Sequence, residues 1–514
     1  MEHYINNRIT QIEEAAKKLN KPVYKERDIK KDTAPRTDWL TNSHKVMSLE
    51  EAIRKSGLKD GMTISFHHHF RAGDKVVNMV VDKLAEMGYK DLHLAASSLI
   101  DVHEPLIEHI RNGVITRIST SGLRGKLAKE ISHGLLKEPV IFRSHGSRGS
   151  AIASGELHID VAFLGASSSD PMGNACGYSR SENAKSICGS IGYALPDAEN
   201  ADKVVILTDD LVPYPNRPSG ISELDVDFVV PVESVGDSSK ISSGAIRDTK
   251  NPRDILLAQQ AAKVIINSGY FKNGFSIQTG SGGASLAAVK YIRQSMIDQN
   301  IKASFALGGI TAHMVKMHEE GLIERLMDVQ SFDKVAAESL KNDRMHKEVS
   351  SVEYASAQEP GSATHFLDIV ILSALEVDVD FNVNVLVGSD GIIRGAIGGH
   401  PDTAEDSALS IIVCPLLRGR IPCIVDHVTT LITPGSSVDV VVTEYGIAVN
   451  PRRPEIAERL EKAGLHVVDI ESLKKRAEDI IGHADPLPFG DKVVGIVLNR
   501  DGSVMDVIMN IEDK

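Results

Sequence analysis

Apolar and polar positions follow an order along this chain that occurs twice. The apolar run TISF, from Thr63, is followed by polar residues and by an amphipathic stretch from about Lys75 to Met87, and FSIQ, from Phe275, begins the same order again. Apolar runs are typical of buried parallel strands, and apolar residues three and four positions apart are typical of the helices that cover them. The pattern predicts an α/β fold with mostly parallel sheets covered by helices, in two copies.

Two matching segments fix the register between the copies. DVAFLGASSSDPMGN, from Asp160, matches DIVILSALEVDVDFN, from Asp368, at an offset of 208 positions, and Gly113 and Gly321 keep that offset. Self-similarity at a fixed offset indicates a tandem duplication. We expect three parts: an N-terminal helix and charged arm over 1–46, a first domain over 47–240 and a second domain over 241–514.

Local signals place the first helices. An amphipathic helix is predicted for the first twenty residues, and the charged stretch after it, to Lys45, is predicted to be an arm. Ser48 with Glu51 forms a capping box that starts the next helix, and Gly57 ends it. The apolar positions of the first helix are Ile5, Ile9, Ile12, Ala16 and Leu19.

Length and net charge limit the number of domains and the classes of partner that we expect. A chain of 514 residues is too long for one ordinary core. Its 57 basic and 70 acidic residues give a net charge of −13, which argues against nucleic acid or an anionic membrane as a partner. An anionic ligand must therefore be held by local arginines, histidines or helix N-termini.

Cysteine use and hydropathy predict the compartment. The four cysteines show no CxxC spacing, as expected in a reducing compartment. No apolar run approaches the roughly 20 residues of a membrane span, and the N-terminus lacks the apolar core of a signal peptide. We therefore expect a cytoplasmic protein.

Glycine-rich segments follow two predicted strands of the second copy, where open α/β sheets bind ligands. TGSGGAS, at 279–285, lacks the GK[ST] of a P-loop and departs from GxGxxG, so it is either an anion-binding loop or a tight turn without a ligand. The paired glycines of GAIGGHPD, at 395–402, can present two N–H groups to an oxyanion, because no side chain obstructs them.

A histidine run follows TISF in the first copy. On a strand His67 and His69 face one way and His68 the other. A zinc site built from all three is disfavoured, since it requires a bend and a further carboxylate. The better functional interpretation is that His67 or His69, with Arg71, binds a carboxylate, and the alternative is a polar strand end.

Two glutamates are candidate nucleophiles. Glu444 directly follows the apolar run VDVVV and a threonine, a position where glutamate often only accepts hydrogen bonds from a loop. Glu376 stands where the first copy has Ser168. That difference indicates either specialisation of one copy or drift on an exposed loop.

Taken together, these motifs resemble those of CoA-transferases. A D-x-x-x-N motif follows a strand in both copies, as DPMGN at 170–174 and DVDFN at 378–382, GAIGGHPD looks like their glycine-rich loop, and VTEYGIA is similar to their TEYG motif. Within that superfamily the chain, from about Ser48 to its end, resembles the alpha-subunit family of bacterial citrate lyases. The segments that carry this resemblance, in order, are SFHHHFRAGD, HEPLIEHIRNGV, TSGLRG, NSGYFKNGFSIQTGSGGASLA, FALGGITA, DVQSFD, ALEVDVDFNVNVL and TPGSSVDVVVTEYGIAVNPRRPE.

The resemblance implies a fold and an activity. The fold is two tandem, duplicated CoA-transferase-like (NagB/RpiA-like) domains. The activity is a transferase that exchanges acetate for citrate on a thioester, in an oligomeric complex with a beta subunit that cleaves the citryl thioester and a gamma subunit that is the acyl carrier protein. Acyl-CoA, or the CoA-like prosthetic group of the carrier protein, is then a substrate, and we expect no tightly bound cofactor and no metal site in this chain.

The resemblance also implies residue roles. Many CoA-transferases use a glutamate in a Q-[ST]-E setting, but Gln278-Thr279-Gly280 has glycine at that position, which disfavours a covalent enzyme thioester. We therefore expect a citrate carboxylate to attack the acetyl thioester directly, with Glu376 and Glu444 as alternative nucleophiles. We expect the Gly398 and Gly399 N–H groups to stabilise the oxyanion. Citrate binding falls to His67, His69, Arg71, Arg124, Ser97 and Ser98, and thioester binding to Thr279, Gly280, Ser281, Gly282, Gly283, Gly395 and Asp402.

Other functions are compatible with such a fold, because fold alone does not determine function. A thioesterase would use water in place of citrate. A sugar-phosphate isomerase or effector-sensing module would lack thioester chemistry. A scaffold would only hold the other subunits.

Overall fold

The structure is a computed structural model that describes residues 8–24, 37–242, 249–280, 283–483 and 486–512. Residues 1–38 and 39–514 form two compact units. The first contains helix α1 (Ile9–Lys18), none of whose residues is buried. Ile5 of the predicted first helix, and residues 25–36 of the predicted arm, lie outside the described residues.

The first half of the larger unit alternates strands and helices as predicted. Ser48 caps its first helix by accepting the Glu51 N–H (3.3 Å), and Gly57, at φ +75°, ends it. Its helices are α2 (Leu49–Ser56), α3 (Val76–Glu86), α4 (Leu106–Arg111), α5 (Gly125–Ser132), α6 (His145–Ala153) and α7 (Leu195–Asn200). Its strands are β1 (Thr63–Phe66), β2 (Leu92–Ala96), β3 (Ile115–Thr120), β4 (Val140–Phe142), β5 (Val161–Ala166), β6 (Ser168–Ser169), β7 (Ala175–Cys176), β8 (Lys203–Thr208) and β9 (Phe228–Pro231).

The second half repeats this order and adds short strands. Its helices are α8 (Pro252–Asn267), α9 (Gly283–Gln299), α10 (Ala312–Glu319), α11 (Lys334–Asn342), α12 (Ser351–Ala355), α13 (His400–Asp406), α14 (Pro454–Lys462) and α15 (Ile470–Ile481). Its strands, with a C-terminal pair, are β10 (Phe275–Thr279), β11 (Ala303–Ile310), β12 (Ile323–Ser331), β13 (His346–Glu348), β14 (Ile369–Ser373), β15 (Glu376–Asp378), β16 (Val383–Asn384), β17 (Leu409–Val413), β18 (Leu417–Arg418), β19 (Ile421–Pro422), β20 (Ile424–Val425), β21 (Val440–Thr443), β22 (Gly446–Val449), β23 (Phe489–Leu498) and β24 (Val504–Ile511).

The two large sheets share the order of seven strands and differ in the strands added at their edges. The first has the order β24-β23-β4-β3-β2-β1-β5-β8-β9, and the second has β13-β12-β11-β10-β14-β17-β21-β22. Pairing is parallel throughout, except in the hairpins β23-β24 and β21-β22. The predicted α/β fold of two tandem, duplicated domains is confirmed.

The repeated motif positions have structural roles. Asp160 Oδ2 accepts the Thr63 N–H (2.7 Å), and Asp368 Oδ2 accepts the Ser276 N–H (2.9 Å), so each aspartate ties the central strand of its sheet to the next strand's start. Asp170 accepts the Asn174 N–H and Asp378 accepts the Asn382 N–H. The duplicated motif therefore builds equivalent turns rather than two active sites.

The apolar core joins the halves. Its largest cluster surrounds the first sheet and also contains Ile393 and Ile397, which come from the second half. The hairpin β23-β24, at the C-terminal end of the range 241–514, pairs through β23 with β4 of the first sheet. The domain boundaries themselves stay a prediction.

Candidate active site

A cavity of about 450 Å³ lies where the strand order of each sheet reverses, at the carboxyl ends of β1, β10 and β14. Ligands bind at such switch points because the loops there diverge and leave a crevice. Its wall draws on both halves. The lining residues discussed below are His68, Arg71, Ser98, Asp101, Arg124, His145, Tyr193, Gln278, Thr279, Gly280, Gln330, Phe332, Tyr354, Arg394, Gly395, Gly398, Gly399, His400 and Arg418.

The charge of the cavity is opposite to that of the chain. Four arginines line it, and the one carboxylate among the described lining residues is that of Asp101. Arg394 pairs with Asp390, and Arg418 donates to the carbonyls of residues 374 and 375. Arg71 and Arg124 form no ion pair with a described carboxylate, so their guanidinium groups are available to an anion.

Arg71 combines an unfavourable backbone conformation with a buried guanidinium group. Its φ of +50° lies in the left-handed region, which is unfavourable for a residue with a Cβ. Its guanidinium stacks on the Phe332 ring of the other half (4.8 Å), and Nη1 is buried with no hydrogen-bond partner among the described residues. Burial, and secondarily the nearby Arg124, lower its pKa to about 10. An arginine remains charged at neutral pH even so, and a bound anion would compensate it.

Aromatic stacking holds two neutral histidines in the wall. The rings of His68, His145 and Tyr193 pack against one another, with centroid separations of 5.3 Å for His68–Tyr193, 4.2 Å for His145–Tyr193 and 5.7 Å for His68–His145. Burial lowers the pKa of His145 to about 3 and that of His68 well below its usual value. Both rings are therefore uncharged at neutral pH. Nδ1 of His145 is buried and lacks a partner among the described residues.

The histidine run presents its middle member to the cavity. His67 and His69 do share a side, as strand alternation predicts, and their Nδ1 atoms contact each other. That side faces the protein interior: His67 Nε2 bonds the Gly165 carbonyl (2.9 Å), and His69 Nε2 accepts the Tyr193 N–H. Neither lines the cavity, whereas His68 does. Strand alternation predicts that His67 and His69 share a side. It does not predict which side faces the cavity, because β1 ends at Phe66.

Of the two serines that follow β2, only the second lines the cavity. Ser97 Oγ lies behind the wall and bonds His68 Nδ1 (2.6 Å), whereas Ser98 lines the cavity. Arg124, also predicted to bind citrate, lies in the wall directly before α5.

The glycine loop before α13 is fixed by the first half. The Leu123 N–H donates to the Gly395 carbonyl (3.1 Å), and the His145 N–H donates to the Gly398 carbonyl (2.8 Å). Gly399 has no room for a side chain, since a Cβ there would meet the Tyr354 hydroxyl oxygen at 2.3 Å. The N–H groups of Gly398 and Gly399 have no acceptor among the described residues. The loop thus offers two rigid, unoccupied donors in the cavity wall.

Asp402 lies beneath this loop and is fully buried, so it does not contact the cavity. Its carboxylate accepts the Ser144 hydroxyl (2.6 Å) and the Gly146 N–H (3.0 Å), both at the start of α6. Burial raises its pKa to about 6. Its position makes it a tie between the glycine loop and α6 instead of the predicted thioester ligand.

The predicted thioester loop is only partly in the wall. Thr279 and Gly280 line the cavity, but the Gly280 N–H already donates to the Ile371 carbonyl (2.7 Å). Gly283 begins α9 and does not line it. Ser281 and Gly282 lie outside the described residues.

The two predicted fallback nucleophiles lie outside the cavity wall. Glu376 accepts hydrogen bonds from the Asn384 amide, the Thr429 N–H and the Thr429 hydroxyl. Glu444 accepts the Leu416 N–H (2.8 Å). Both carboxylates thus hold neighbouring loops, the alternative role that a strand-terminal glutamate often has.

Several wall residues escape sequence reasoning. His145 begins α6 and Tyr193 lies in the turn before α7, both among small residues with no motif of their own, whereas Gln330 is near the end of β12 and Phe332 directly follows that strand. The one usable signal was the series of small residues around His145, since such residues allow close approach of another segment. Tertiary packing, rather than spacing, brings these side chains together.

One group of potential metal ligands occurs among the described residues, away from the cavity wall. It consists of His158, Asp160 and Asp202. His158 and Asp202 are more than half exposed, and Asp160 already accepts the Thr63 N–H. In the described part of the chain, no helix combines the length and the hydropathy that crossing a membrane requires.

The chain is similar to known proteins over most of its length. The family model described as citrate lyase, alpha subunit, matches residues 42–511. Citrate lyase alpha chains from Escherichia coli (strain K12) and Haemophilus influenzae are 59% and 56% identical, over 91% and 93% of this chain and 91% and 96% of theirs.

Solved structures extend the comparison. A crystal structure described as the citrate lyase alpha subunit from Streptococcus mutans in complex with citrate superposes with a TM-score of 0.89 at 55% identity, covering 91% of this chain and 92% of that one. The malonate decarboxylase alpha subunit from Acinetobacter baumannii, at 16% identity and a TM-score of 0.63 over 86% and 94% of the two chains, shares the fold. The chain belongs to the citrate lyase alpha-subunit family.

Proposed function

We propose that this chain exchanges acetate for citrate on a thioester: acetyl thioester and citrate give citryl thioester and acetate. The observation that carries this proposal is the cavity itself, whose wall contains two arginines without an ion pair, and two glycine N–H groups without an acceptor, among the described residues. A trianionic substrate suits the arginines, and a thioester carbonyl that becomes an oxyanion suits the N–H groups.

Citrate lies against the first half in this scheme. Arg71 and Arg124 pair with its carboxylates, and His68 and Ser98 lie beside them in the wall. Guanidinium and carboxylate form two parallel hydrogen bonds, which orient the substrate as well as bind it. Good orientation of two reactants is worth roughly 7–11 kcal/mol of the barrier.

The reaction then needs no enzyme nucleophile. A citrate carboxylate attacks the acetyl carbonyl carbon, the oxyanion is held by the Gly398 and Gly399 N–H groups, and the thiolate leaves as a mixed citric–acetic anhydride forms. The thiolate attacks the citryl carbonyl of that anhydride and acetate leaves. One oxyanion donor contributes about 3–4 kcal/mol. Glu376 and Glu444 are engaged elsewhere, which supports direct attack by the substrate.

The thioester is delivered by other components. We infer that its carrier is acyl-CoA or the CoA-like prosthetic group of an acyl carrier protein, the gamma subunit, and that a beta subunit cleaves the citryl product. Thr279, the last residue of β10, and Gly280, which follows it, lie in the part of the wall that the second half contributes. The chain requires no tightly bound cofactor in this scheme, because one thioester replaces another.

Acetate release from acetyl-CoA by the purified chain, with and without citrate, tests the proposal. We expect release that depends on citrate, with a citryl thioester identified by mass spectrometry. Release without citrate would identify a thioesterase. An enzyme thioester at Glu376 or Glu444, found by mass spectrometry after mixing with acetyl-CoA, would overturn the direct attack.

A further inference from the structure

Several hydrogen-bond acceptors in the wall of this cavity are already occupied. Among its backbone carbonyls, that of Gly395 accepts the Leu123 N–H, that of Gly398 accepts the His145 N–H, and those of residues 374 and 375 accept from Arg418. The arginine and glycine N–H groups of the wall are donors only. An acceptor oxygen in the cavity wall that has no protein partner therefore requires a hydrogen-bond donor from the bound ligand.

Gln330, at the end of β12, supplies such an oxygen. Its Nε2 donates to the His68 backbone carbonyl across the two halves (3.2 Å). A carbonyl can only accept, so this contact fixes which end of the amide is nitrogen. Gln330 is 3% exposed and lines the cavity, and its Oε1 has no partner among the described residues. The carbonyl oxygen is left for the ligand.

Citrate offers one donor to meet it. At neutral pH its three carboxylates are acceptors only, and its hydroxyl group is the single donor. An amide oxygen facing a carboxylate would be repelled, whereas one facing the hydroxyl completes a hydrogen bond. We propose that Gln330 Oε1 accepts the hydroxyl of the tricarboxylate substrate, so that the site selects hydroxy acids over tricarboxylates that lack this group.

This inference rests on the proposed function, because it takes citrate as the ligand of the cavity. Its energetic basis is that a buried acceptor left without a donor destabilises the complex with the wrong ligand more than one hydrogen bond stabilises the right one. We expect unmodified protein to prefer citrate over propane-1,2,3-tricarboxylate, which differs only in lacking the hydroxyl, by about 10- to 100-fold in dissociation constant.

The chain offers a matched control. Gln278 also lines the cavity, and its Nε2 donates to the Tyr354 hydroxyl (2.8 Å), but its Oε1 is enclosed by protein atoms. Methionine replaces either glutamine at similar length without a polar atom. Q330M is expected to reduce the preference for citrate to less than about threefold through weaker citrate binding, whereas Q278M is expected to keep it.

Calorimetric titration of the full chain with citrate and with propane-1,2,3-tricarboxylate measures both constants, and citrate-dependent acetate release measures the corresponding kcat/KM ratio. A preference that falls in Q330M and persists in Q278M supports the assignment. Equal binding of both acids by unmodified protein overturns it without any variant and leaves the proposed exchange intact. An unchanged ratio in Q330M, or an effect on the KM of the thioester alone, also overturns it. No binding of either acid would overturn the proposed function itself.

Discussion

At the scale of single residues, Arg71 gives the most direct test of citrate binding. Its buried guanidinium pairs with no carboxylate in the described part of the chain, so removal of its charge removes a ligand contact rather than an internal ion pair. Charge-assisted hydrogen bonds contribute about 1.5–3 kcal/mol. We therefore expect R71Q to raise the dissociation constant of citrate about 10- to 100-fold by calorimetry. R111Q, which removes a half-exposed arginine, is the control, and equal constants for both variants would show that Arg71 does not bind citrate.

Gly399 tests the oxyanion site. A Cβ there would meet the Tyr354 hydroxyl oxygen at 2.3 Å, so G399A must displace the loop or the ring. We expect G399A to lower kcat about 100-fold, the scale of losing one oxyanion donor, with a smaller change in the KM of citrate. Y354F removes the atom that clashes, so the double variant G399A/Y354F is expected to recover part of kcat. Without such recovery, displacement by the clash is not the cause.

The residues that the sequence alone could predict are those whose role follows from a local rule. Paired glycines predict free backbone donors, and Gly398 and Gly399 do lie in the wall with free N–H groups. An isolated arginine beside histidines predicts an anion ligand, and Arg71 lies there too. The side of the histidine run was not predictable, because the chain leaves β1 before His67 and packing then decides orientation.

At the scale of elements, α6 depends on a carboxylate from the other half. Asp402 accepts from Ser144 and Gly146, and burial raises its pKa from the ordinary value of 3.8 to about 6. The folded state therefore holds this proton more tightly than the unfolded chain does. The stability that this group contributes is present below pH 4 and is lost as the pH rises through about 6.

This linkage gives a prediction about pH. D402N does not titrate, so the melting temperature of D402N minus that of unmodified protein is expected to increase from pH 5 to pH 7, as scanning fluorimetry measures. D501N is the control, since hydrogen bonds from Ser503 lower the pKa of the exposed Asp501, and its difference is not expected to increase. A difference for D402N that is independent of pH would mean that Asp402 titrates normally.

The helices and strands also show why the internal repeat predicted the sheets but not the residues of the cavity. The aspartates of the duplicated motif hold turns that both sheets need, so both copies keep them. The cavity is lined by loops after equivalent strands of both halves, but these loops carry different residues: Arg71 follows β1, whereas Thr279 and Gly280 stand at the end of β10. Self-similarity thus predicted the sheets, while the site lay where the copies differ.

At the scale of the whole molecule, the C-terminal hairpin β23-β24 extends the first sheet. Its sequence follows the second domain, yet β23 pairs with β4 of the first sheet. A strand's partner in a parallel pair is set by contacts distant in sequence, which local patterns do not encode. The predicted range 241–514 therefore contains a segment that belongs to the first sheet.

Arg500, in the turn of that hairpin, carries the last prediction. It is 4% exposed, pairs with Asp406 (2.7 Å from Nη2 to Oδ2) and lies 3.9 Å from Asp402, so it links the first sheet's edge to the helix that follows the glycine loop. Breaking a buried ion pair by removing one partner costs about 3–5 kcal/mol. We expect R500Q to lower both the melting temperature and citrate-dependent acetate release.

The double variant R500Q/D406N separates this link from general damage. D406N removes the carboxylate that R500Q leaves without its partner, so the double variant is expected to melt at a higher temperature than R500Q alone. Acetate release should recover less, because Asp402, beneath the glycine loop, still lacks its nearby cation. If R500Q melts as unmodified protein does, the hairpin is not what holds the two halves around the cavity, and the packing of Ile393 and Ile397 against the first core must do so.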